Sequence, residues 1–243
     1  IRYVPGTFKA IFRALKYPNY RLYYIGQCIS LIGTWVQNIA MGWLVYRLTD
    51  SALILATVAF ALQLPSLFIT PFAGVLADRY NRRKVIIISQ TAAMIIAFIL
   101  AYLTLTDGIT INIILILAVI SGIGVAFDTP FRNSFIHDMI PNREDLANAI
   151  ALNSSLYNIA RFVGPPIGGI LIAVFGEGWC FFLNGVSFLA VIGCLFAMNI
   201  DVMRKVSQKV SVLRQFVEGI KYASREKSLR YLLLLRSEER RVG

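Results

Sequence analysis

Long apolar blocks alternate with short polar segments along the chain. Six blocks reach the length of about 20 residues that a helix needs to cross the hydrocarbon core of a bilayer. They cover residues 22–46, 53–76, 85–105, 110–131, 147–175 and 179–200. The blocks lack the alternation of a membrane β-barrel, and lipid offers the backbone no hydrogen-bond partner, so each block must be helical. The pattern predicts an all-α, polytopic membrane bundle of six transmembrane helices.

Composition and the placement of charge support this prediction and orient the bundle. Hydrophobic residues make up 57% of the chain and charged residues 15%, against about 45–50% and 25% in soluble domains. Lys and Arg cluster at the N-terminus, in the 77–84 and 128–146 connections and after residue 200, whereas the opposite connections contain only Arg47. The positive-inside rule predicts that the basic segments are cytoplasmic. The net charge of +11 therefore indicates topology in a lipid bilayer, and nucleic acid is not expected as a partner.

The same pattern predicts four regions. Residues 1–21 form a basic amphipathic N-terminus, residues 22–200 the bundle, residues 201–230 a cytoplasmic basic linker, and residues 231–243 the start of a seventh helix that the charged tail RSEERRVG interrupts. No cleavable signal peptide is expected, because residues 1–21 lack an apolar run and a small-residue cleavage site. The first span would itself direct insertion. Residue 1 is Ile rather than Met, and the tail reads as foreign to the natural sequence. We expect a fragment of a protein of roughly twelve helices, whose missing C-terminal half is a partner.

The segment GVLADRYNRRK, residues 74–84, lies between the second and third blocks. It resembles the signature of the major facilitator superfamily, with matches at Gly74, Asp78, Arg79, Arg82, Arg83 and Lys84. Asn81 stands where the family has a glycine, and Asn readily adopts the left-handed conformation that such a turn uses. Gly74 is expected to admit a neighbouring helix, and Asp78 to pair with Arg82 or to face a helix N-terminus.

The resemblance implies that this turn is a conformational latch between two six-helix halves. The alternative is that its basic residues only anchor the turn at the membrane surface. That alternative explains the basic residues but not the spacing of the Gly and the Asp.

The fifth block contains ARFVGPPIGG, residues 160–169. It resembles the glycine–proline motif of antiporter-type members of the superfamily at Gly164, Pro165, Gly168 and Gly169, and Pro166 adds a second proline. The resemblance implies an exporter in which this helix bends or seals the bundle. The alternative is a structural kink, since Gly and Pro are common in membrane helices.

Polar residues inside the predicted spans mark a candidate transport pathway. Span one carries Gln27, Thr34 and Gln37 on one face with Asn38 beside them, and span two contributes Gln63. A line of this kind indicates either a polar cavity or hydrogen bonds that join helices.

Span five contains Arg161, the one basic residue inside a predicted span. Asn158 and Arg161 share a helical face with Ser154, Pro165 and Gly168, and an intramembrane charge normally faces the bundle interior. We expect this face to line the central cavity. Arg161 would then act as an anion contact or as a conformational ion-pair partner.

Asp128, near the cytoplasmic end of span four, is the best acidic candidate for an ion pair. The segment GVAFDTPFRNSF resembles an Asp-x-Pro-x-Arg pattern of the enterobactin-exporter-like, or transmembrane secretion effector, branch of the superfamily. The alternative is an interfacial helix cap. Many drug–proton antiporters carry an Arg where this chain has Ala118, so their coupling scheme does not transfer directly. A coupling carboxylate would be Asp128 or lie in the missing half.

These features predict a secondary active transporter, most simply a proton-driven exporter of a small organic molecule such as a siderophore or a drug. Uptake by the same fold and a non-transporting receptor or scaffold are the alternatives. The 74–84 signature argues against a permease that works with an ATPase subunit, and the chain lacks a phosphate-binding loop. We expect no enzyme, cofactor or metal site, and Cys28, Cys180 and Cys194 read as small buried apolar residues.

Overall fold

The computed structural model describes residues 12–199. A short 3₁₀ turn, Arg13–Lys16, precedes six long helices. They are α1 Pro18–Thr49, α2 Ala52–Ala77, α3 Arg82–Leu105, α4 Ile111–Met139, α5 Arg143–Phe175 and α6 Glu177–Ala197. Each is long and apolar enough to cross a membrane. The prediction of six spanning helices and an all-α fold is therefore confirmed.

Side-chain caps fix where most of these helices begin. Oxygens of Ser51, Asn81, Thr110 and Asn142 accept a hydrogen bond from a backbone N–H in the first turn of α2, α3, α4 and α5. Such caps satisfy backbone donors that a helix leaves unpaired at its start. The caps at Ser51, Asn81 and Asn142 each follow closely on the end of the preceding helix, so α1–α2, α2–α3 and α4–α5 are antiparallel pairs with short connections.

One predicted connection is much shorter than expected. The sequence placed a cytoplasmic loop at residues 128–146, but α4 continues to Met139 and α5 begins at Arg143. Arg132 and His137 are therefore helical residues, not loop residues. The apolar pattern ends at these polar side chains, but the helix does not. Arg132 remains in the helix because Asp128 and Gln27 in the bundle interior pair with it.

The helices pack around a polar centre between two apolar clusters. α1 packs on α5 and α6, α3 on α4 and α6, and α2 on α4. One cluster joins the ends that the charge pattern assigns to the cytoplasm and includes Tyr20, Phe131 and Phe135. The other joins the opposite ends and includes Leu44 and Phe181. Polar residues of all six helices meet between the two clusters, at the middle of the bundle.

An ion pair fastens the end of the bundle that the charge pattern assigns to the outside. Arg47 at the end of α1 donates to Glu177 at the start of α6 over 2.8 Å. The Glu177 side chain is largely buried, so Arg47 supplies its counter-charge.

The 3₁₀ turn before α1 is tied to the start of α5. The carboxylate of Asp145 has no exposed side-chain surface. It accepts the hydroxyl of Tyr17 and the ammonium of Lys16, each over 2.7 Å, and forms an ion pair with Arg13. The hydrogen bond to Asp145 raises the pKa of Lys16, so the ammonium stays charged at physiological pH. Of the amphipathic N-terminus predicted for residues 1–21, residues 1–11 lie outside the described residues, as do all of the predicted linker and tail, residues 201–243.

We expect Asp145→Asn to lower the melting temperature of the full-length protein in detergent, because three donors then lose a carboxylate. Glu144→Gln is the matched control, since the Glu144 side chain is 79% exposed and an exposed ion pair contributes little. Equal melting temperatures for the two variants would show that the Asp145 contacts do not stabilise the fold.

Candidate functional site

A polar cavity of about 370 Å³ lies at the centre of the bundle, and residues of all six helices line it. α1 contributes a row of five polar residues to the wall: Gln27, Ser30, Thr34, Gln37 and Asn38. Their spacing of three and four residues places them on one side of the helix. The structure thus brings the whole predicted stripe of span one to the cavity.

Further carboxamides come from the other helices. Gln63 of α2, Gln90 of α3, Asn153 of α5 and Asn184 of α6 all line the cavity. Asn184 donates to the Gln37 side chain over 2.8 Å, so part of the α1 stripe also joins α1 to α6. The wall offers many neutral donors and acceptors to a polar ligand.

The strongest electrostatic feature is an ion pair between Asp128 and Arg132, one turn apart on α4. Asp128 also accepts the Ser89 hydroxyl over 2.7 Å and the Gln90 amide over 2.9 Å. Arg132 donates to the side-chain oxygen of Gln27. The network joins α1, α3 and α4, so the carboxylate of Asp128 is a cavity group and not the interfacial helix cap that the sequence left open.

Sequence analysis identified Asp128 and missed its partners. Arg132 was assigned to a loop, and Ser89 and Gln90 were not singled out. The spacing of four residues between Asp128 and Arg132 was the available signal, because a helix that continued past residue 131 would pair them.

Several buried polar atoms around this network find no hydrogen-bond partner within residues 12–199. They are the Tyr23 hydroxyl, Gln27 Nε2, Gln90 Oε1 and Arg132 Nε. Buried polar groups are normally satisfied by protein, water or ligand. This end of the cavity therefore has free hydrogen-bonding capacity beside a charge pair.

Asn158 and Arg161 are not among the residues that line this cavity, whereas Asn153 and Tyr157 of the same helix are. Asn158 is exposed and donates to the Ser154 carbonyl over 2.9 Å. Arg161 follows Tyr157 by one turn and lies over the Trp35 ring, beside the cavity lining. A role of Asn158 and Arg161 in the transport pathway stays a prediction.

Arg161 is an exposed residue near the middle of α5. Its guanidinium carbon lies 5.9 Å from the centre of the Trp35 ring. A charged side chain at the bilayer centre costs about 2.5–3.5 kcal/mol on insertion scales, and an exposed cation–π contact returns about 0.5–1 kcal/mol. The ring alone does not compensate the charge.

Arg82 organises the turn between α2 and α3. The Arg82 side chain is only 8% exposed and donates to the carbonyls of Ala77 and Ser134 and to the carboxylates of Asp78 and Asp138, at distances of 2.7–3.2 Å. It joins the end of α2 to the end of α4. Pairing of Asp78 with Arg82 was expected, whereas Asp138 is a partner that the sequence analysis missed.

Two other residues of this turn differ from expectation. Asn81 is not left-handed: its φ is −66° and its ψ 105°, and its side chain caps α3 at Lys84 N. Gly74 does not contact a neighbouring helix among the described residues, because a Cβ placed there meets nothing within 4 Å. Arg83 donates to the Phe196 carbonyl over 3.1 Å and so reaches the end of α6.

The glycine–proline segment of α5 has two different sides. A Cβ on Gly164 would overlap the Cβ of Trp35 in α1. A Cβ on Gly168 would lie 3.4 Å from the backbone of Val36, also in α1. Gly169 faces open space within the described part of the chain. α5 continues as one helix through Pro165 and Pro166. Gly164 and Gly168 allow α5 to pack closely on α1.

The described residues contain no group of three or more His, Cys, Asp or Glu side chains that could hold a metal ion. Cys28, Cys180 and Cys194 are free thiols. The chemistry of the cavity is therefore that of hydrogen bonds and one ion pair.

Comparison with known proteins gives a consistent result. A family model described as transmembrane secretion effector matches residues 10–238. The chain is 28% identical to the staphyloferrin A transporter of Staphylococcus aureus over 72% of the chain and 44% of the relative. It is also 28% identical to macrolide efflux protein A of Streptococcus pyogenes, over 90% and 56%, and to the multidrug efflux pump Tap of Mycolicibacterium fortuitum, over 84% and 51%. The chain spans about half the length of the curated relatives it matches.

Proposed function

The chain belongs to the transmembrane secretion effector family of the major facilitator superfamily, and from that premise we propose that it forms the N-terminal half of a twelve-helix exporter. The family resemblance drawn from the sequence is confirmed, as is the expectation that the chain is a membrane protein and not an enzyme. The full-length protein moves a small organic molecule across the bacterial inner membrane, with its N-terminus in the cytoplasm. The proton gradient drives the export.

The observation that carries this proposal is the polar cavity between two apolar clusters. A bundle with only a structural role has no need of an ion pair and a row of carboxamides at mid-membrane, because buried polar groups there are costly. Gln27, Thr34, Gln37, Asn38 and Gln63 supply the wall on this half. The second half supplies the facing wall, and the ligand binds between the two halves near the bilayer midplane.

Asp128 is the candidate for proton coupling on this half, because its carboxylate lines the cavity beside Arg132. Protonation of Asp128 would weaken its bonds to Arg132, Ser89 and Gln90 and so loosen the contact between α3, α4 and α1. A proton that enters from one side and leaves to the other would thereby bias the bundle between two arrangements.

Export and the substrate class rest on the relatives and on α5. The relatives are a staphyloferrin A transporter, a macrolide efflux protein and a multidrug efflux pump, which supports a siderophore or a drug-like molecule as the cargo. The glycine–proline segment resembles that of antiporters. Close packing of Gly164 and Gly168 on α1 couples α5 to the cavity wall.

Transport by the full-length protein in inside-out membrane vesicles tests this proposal. We expect a siderophore, a macrolide or a dye to accumulate when the vesicle lumen is acidified, and an uncoupler to abolish that accumulation. Vesicles that carry Asp128→Asn serve as the coupling control. If no compound accumulates in a gradient-dependent way, the exporter proposal is wrong, and gradient-driven movement in the opposite direction would instead show uptake.

The second proposal concerns the turn at residues 74–84, which acts as a cytoplasmic latch between the halves. Asp78 is 74% exposed and Arg82 is 8% exposed, so the Asp78 carboxylate is accessible to a partner while Arg82 holds it in place. We expect Asp78→Asn to shift the ratio of inward- to outward-facing protein by about 5–150-fold, the range of ordinary coupling energies.

The measurement is the transport rate together with the melting temperature. Asp78→Asn should impair transport and leave the melting temperature close to that of the parent, because an exposed ion pair contributes at most about 1 kcal/mol. Asp138→Asn is the control: it removes the less exposed partner of Arg82 and should lower the melting temperature more. Normal transport by Asp78→Asn would refute the latch.

A further inference from the structure

The exposed face of α5 around Arg161 is left without a counter-charge in this half. Arg161 follows Arg143 by eighteen residues and precedes Phe175 by fourteen, which places it about 27 Å and 21 Å along the helix axis from the two ends. The hydrocarbon core is about 30 Å thick, so the guanidinium lies near its centre. An Arg side chain at this depth is too far from either surface to reach the headgroups.

Two aromatic side chains position the Arg161 guanidinium. The guanidinium lies over the Trp35 ring. The Tyr157 ring packs edge-on against Trp35, with 6.0 Å between the two ring centres. Gly164 lets the backbone of α5 approach Trp35 closely. Three residues of two helices therefore position a cation on the outer surface of this half.

No carboxylate among residues 12–199 forms an ion pair with Arg161, and the acids of α4 and α6 have other partners. Asp128 pairs with Arg132, and Glu177 pairs with Arg47 at the far end of the bundle. The same face of α5 is polar one and two turns earlier, where Asn158 and Ser154 are exposed. Lipid does not satisfy such a face, because a charge at mid-membrane needs a polar partner.

We propose that the Arg161 face of α5 docks against a membrane-spanning helix of the second half, and that an Asp or Glu of that helix pairs with Arg161. This inference rests on the proposed twelve-helix architecture. The charge on this face determines which partner fits it. The face exposes one cation, Arg161, and two neutral polar residues, Asn158 and Ser154, so the partner must supply an anion. The chain covers only 44–56% of the length of these relatives, so they have the additional sequence from which such a helix comes.

The contact also lies next to the cavity. Tyr157 lines the cavity and packs against Trp35, and Arg161 lies over the same Trp35 ring. The ion pair would therefore form the lateral border of the ligand site where the two halves meet. Breaking it changes how the halves pack without removing a group that touches the ligand.

The sequence of the full-length protein gives the first test. A second half with no Asp or Glu inside any membrane span contradicts the proposal outright. Where such acids exist, each is changed to Ala alone and together with Arg161→Ala, and the melting temperature of the purified full-length protein is measured. One of these acids is the partner of Arg161. For that acid, we expect its Ala variant and Arg161→Ala each to lower the melting temperature. The double variant should lower it no further than the larger of the two single effects.

Two controls keep this test decisive. Glu218, which the sequence places in the cytoplasmic linker, should show additive effects with Arg161→Ala, and Asn158→Ala should shift the melting temperature less than Arg161→Ala does. If Arg161→Ala does not fold, the charge swap decides: Arg161→Glu combined with the acid changed to Arg should recover folded protein, and Arg161→Glu alone should not.

Additive effects for every intramembrane acid overturn the proposal, whether Arg161 then contacts lipid, water or ligand. These melting measurements need no transported compound. Failure of the ion pair is thus distinguishable from failure of the exporter proposal, which the vesicle assay tests by itself.

Discussion

Replacing Arg132 with Met should destabilise the full-length protein by about 3–5 kcal/mol, the usual result of removing one partner of a buried ion pair. The Asp128 and Arg132 side chains are 14% and 18% exposed, so water compensates only a small part of the loss. Arg132→Met leaves the Asp128 carboxylate with two neutral donors, Ser89 and Gln90. It also deprives the Gln27 oxygen of its donor.

The double variant Asp128→Leu with Arg132→Met separates stability from transport. Removing both charges leaves no uncompensated carboxylate, and apolar replacements of buried ion pairs are often neutral or stabilising. We expect the melting temperature to return towards that of the parent while transport stays abolished. Gln63→Ala is the control, since Gln63 lines the cavity and its removal deletes a neutral carboxamide and no charge. A double variant as unstable as Arg132→Met would show that the two charges do not depend on one another.

Gly164→Ala should have the second largest effect, about 1–3 kcal/mol of destabilisation from overpacking. The added methyl group would overlap the Cβ of Trp35 and lie 3.3 Å from its Cγ. Because both atoms belong to the base of a large side chain, α5 and α1 must separate to admit the methyl group. The melting temperature and the fluorescence of Trp35 are the measurements, with Trp43 and Trp179 replaced by Phe.

Gly169→Ala is the matched variant on the same helix. Its methyl group enters open space among the described residues, so we expect a change within about 0.5 kcal/mol, as at an ordinary surface site. Comparable losses for Gly164→Ala and Gly169→Ala would mean that the tight contact with Trp35 is not what the glycines provide. A loss of transport by Gly169→Ala at unchanged stability would place Gly169 at the contact with the second half.

The six spans were predictable from the sequence because a block of about 20 apolar residues has few alternatives in lipid. The end of α4 was not. Apolar periodicity stops near residue 131, yet the helix continues because Arg132 turns towards Asp128 and Gln27 in the interior. Hydropathy records whether a residue is polar and not which neighbour satisfies it.

The same limit explains α5. The spacing of Asn158 and Arg161 showed that they share a face, but the direction of that face depends on how α5 packs against α1. Gly164 and Gly168 pack on α1, and Arg161, one turn before Gly164, lies at the edge of that contact over the Trp35 ring. The polar residues of α1 line the cavity because their spacing of three and four residues leaves only one side of the helix for them.

The turn at residues 74–84 shows how a resemblance transfers in part. Pairing of Asp78 with Arg82 followed from their spacing of four residues. The role of Asn81 did not follow from the glycine that it replaces, because Asn81 uses its side chain to cap α3 and needs no left-handed backbone. Asp138 could be found only once α4 was known to reach that far.

Cysteine labelling at Thr34 tests directly whether the polar cavity opens alternately to the two sides of the membrane. In full-length protein with Cys28, Cys180 and Cys194 replaced by Ser, Thr34→Cys is exposed to a membrane-impermeant maleimide from each side of the membrane. Ala40→Cys, buried in the apolar cluster on the same helix, is the control and should resist labelling. We expect Thr34→Cys to be labelled from both sides, with the ratio shifted by acidification of the outer compartment; labelling from one side only, whatever the gradient, would contradict the account.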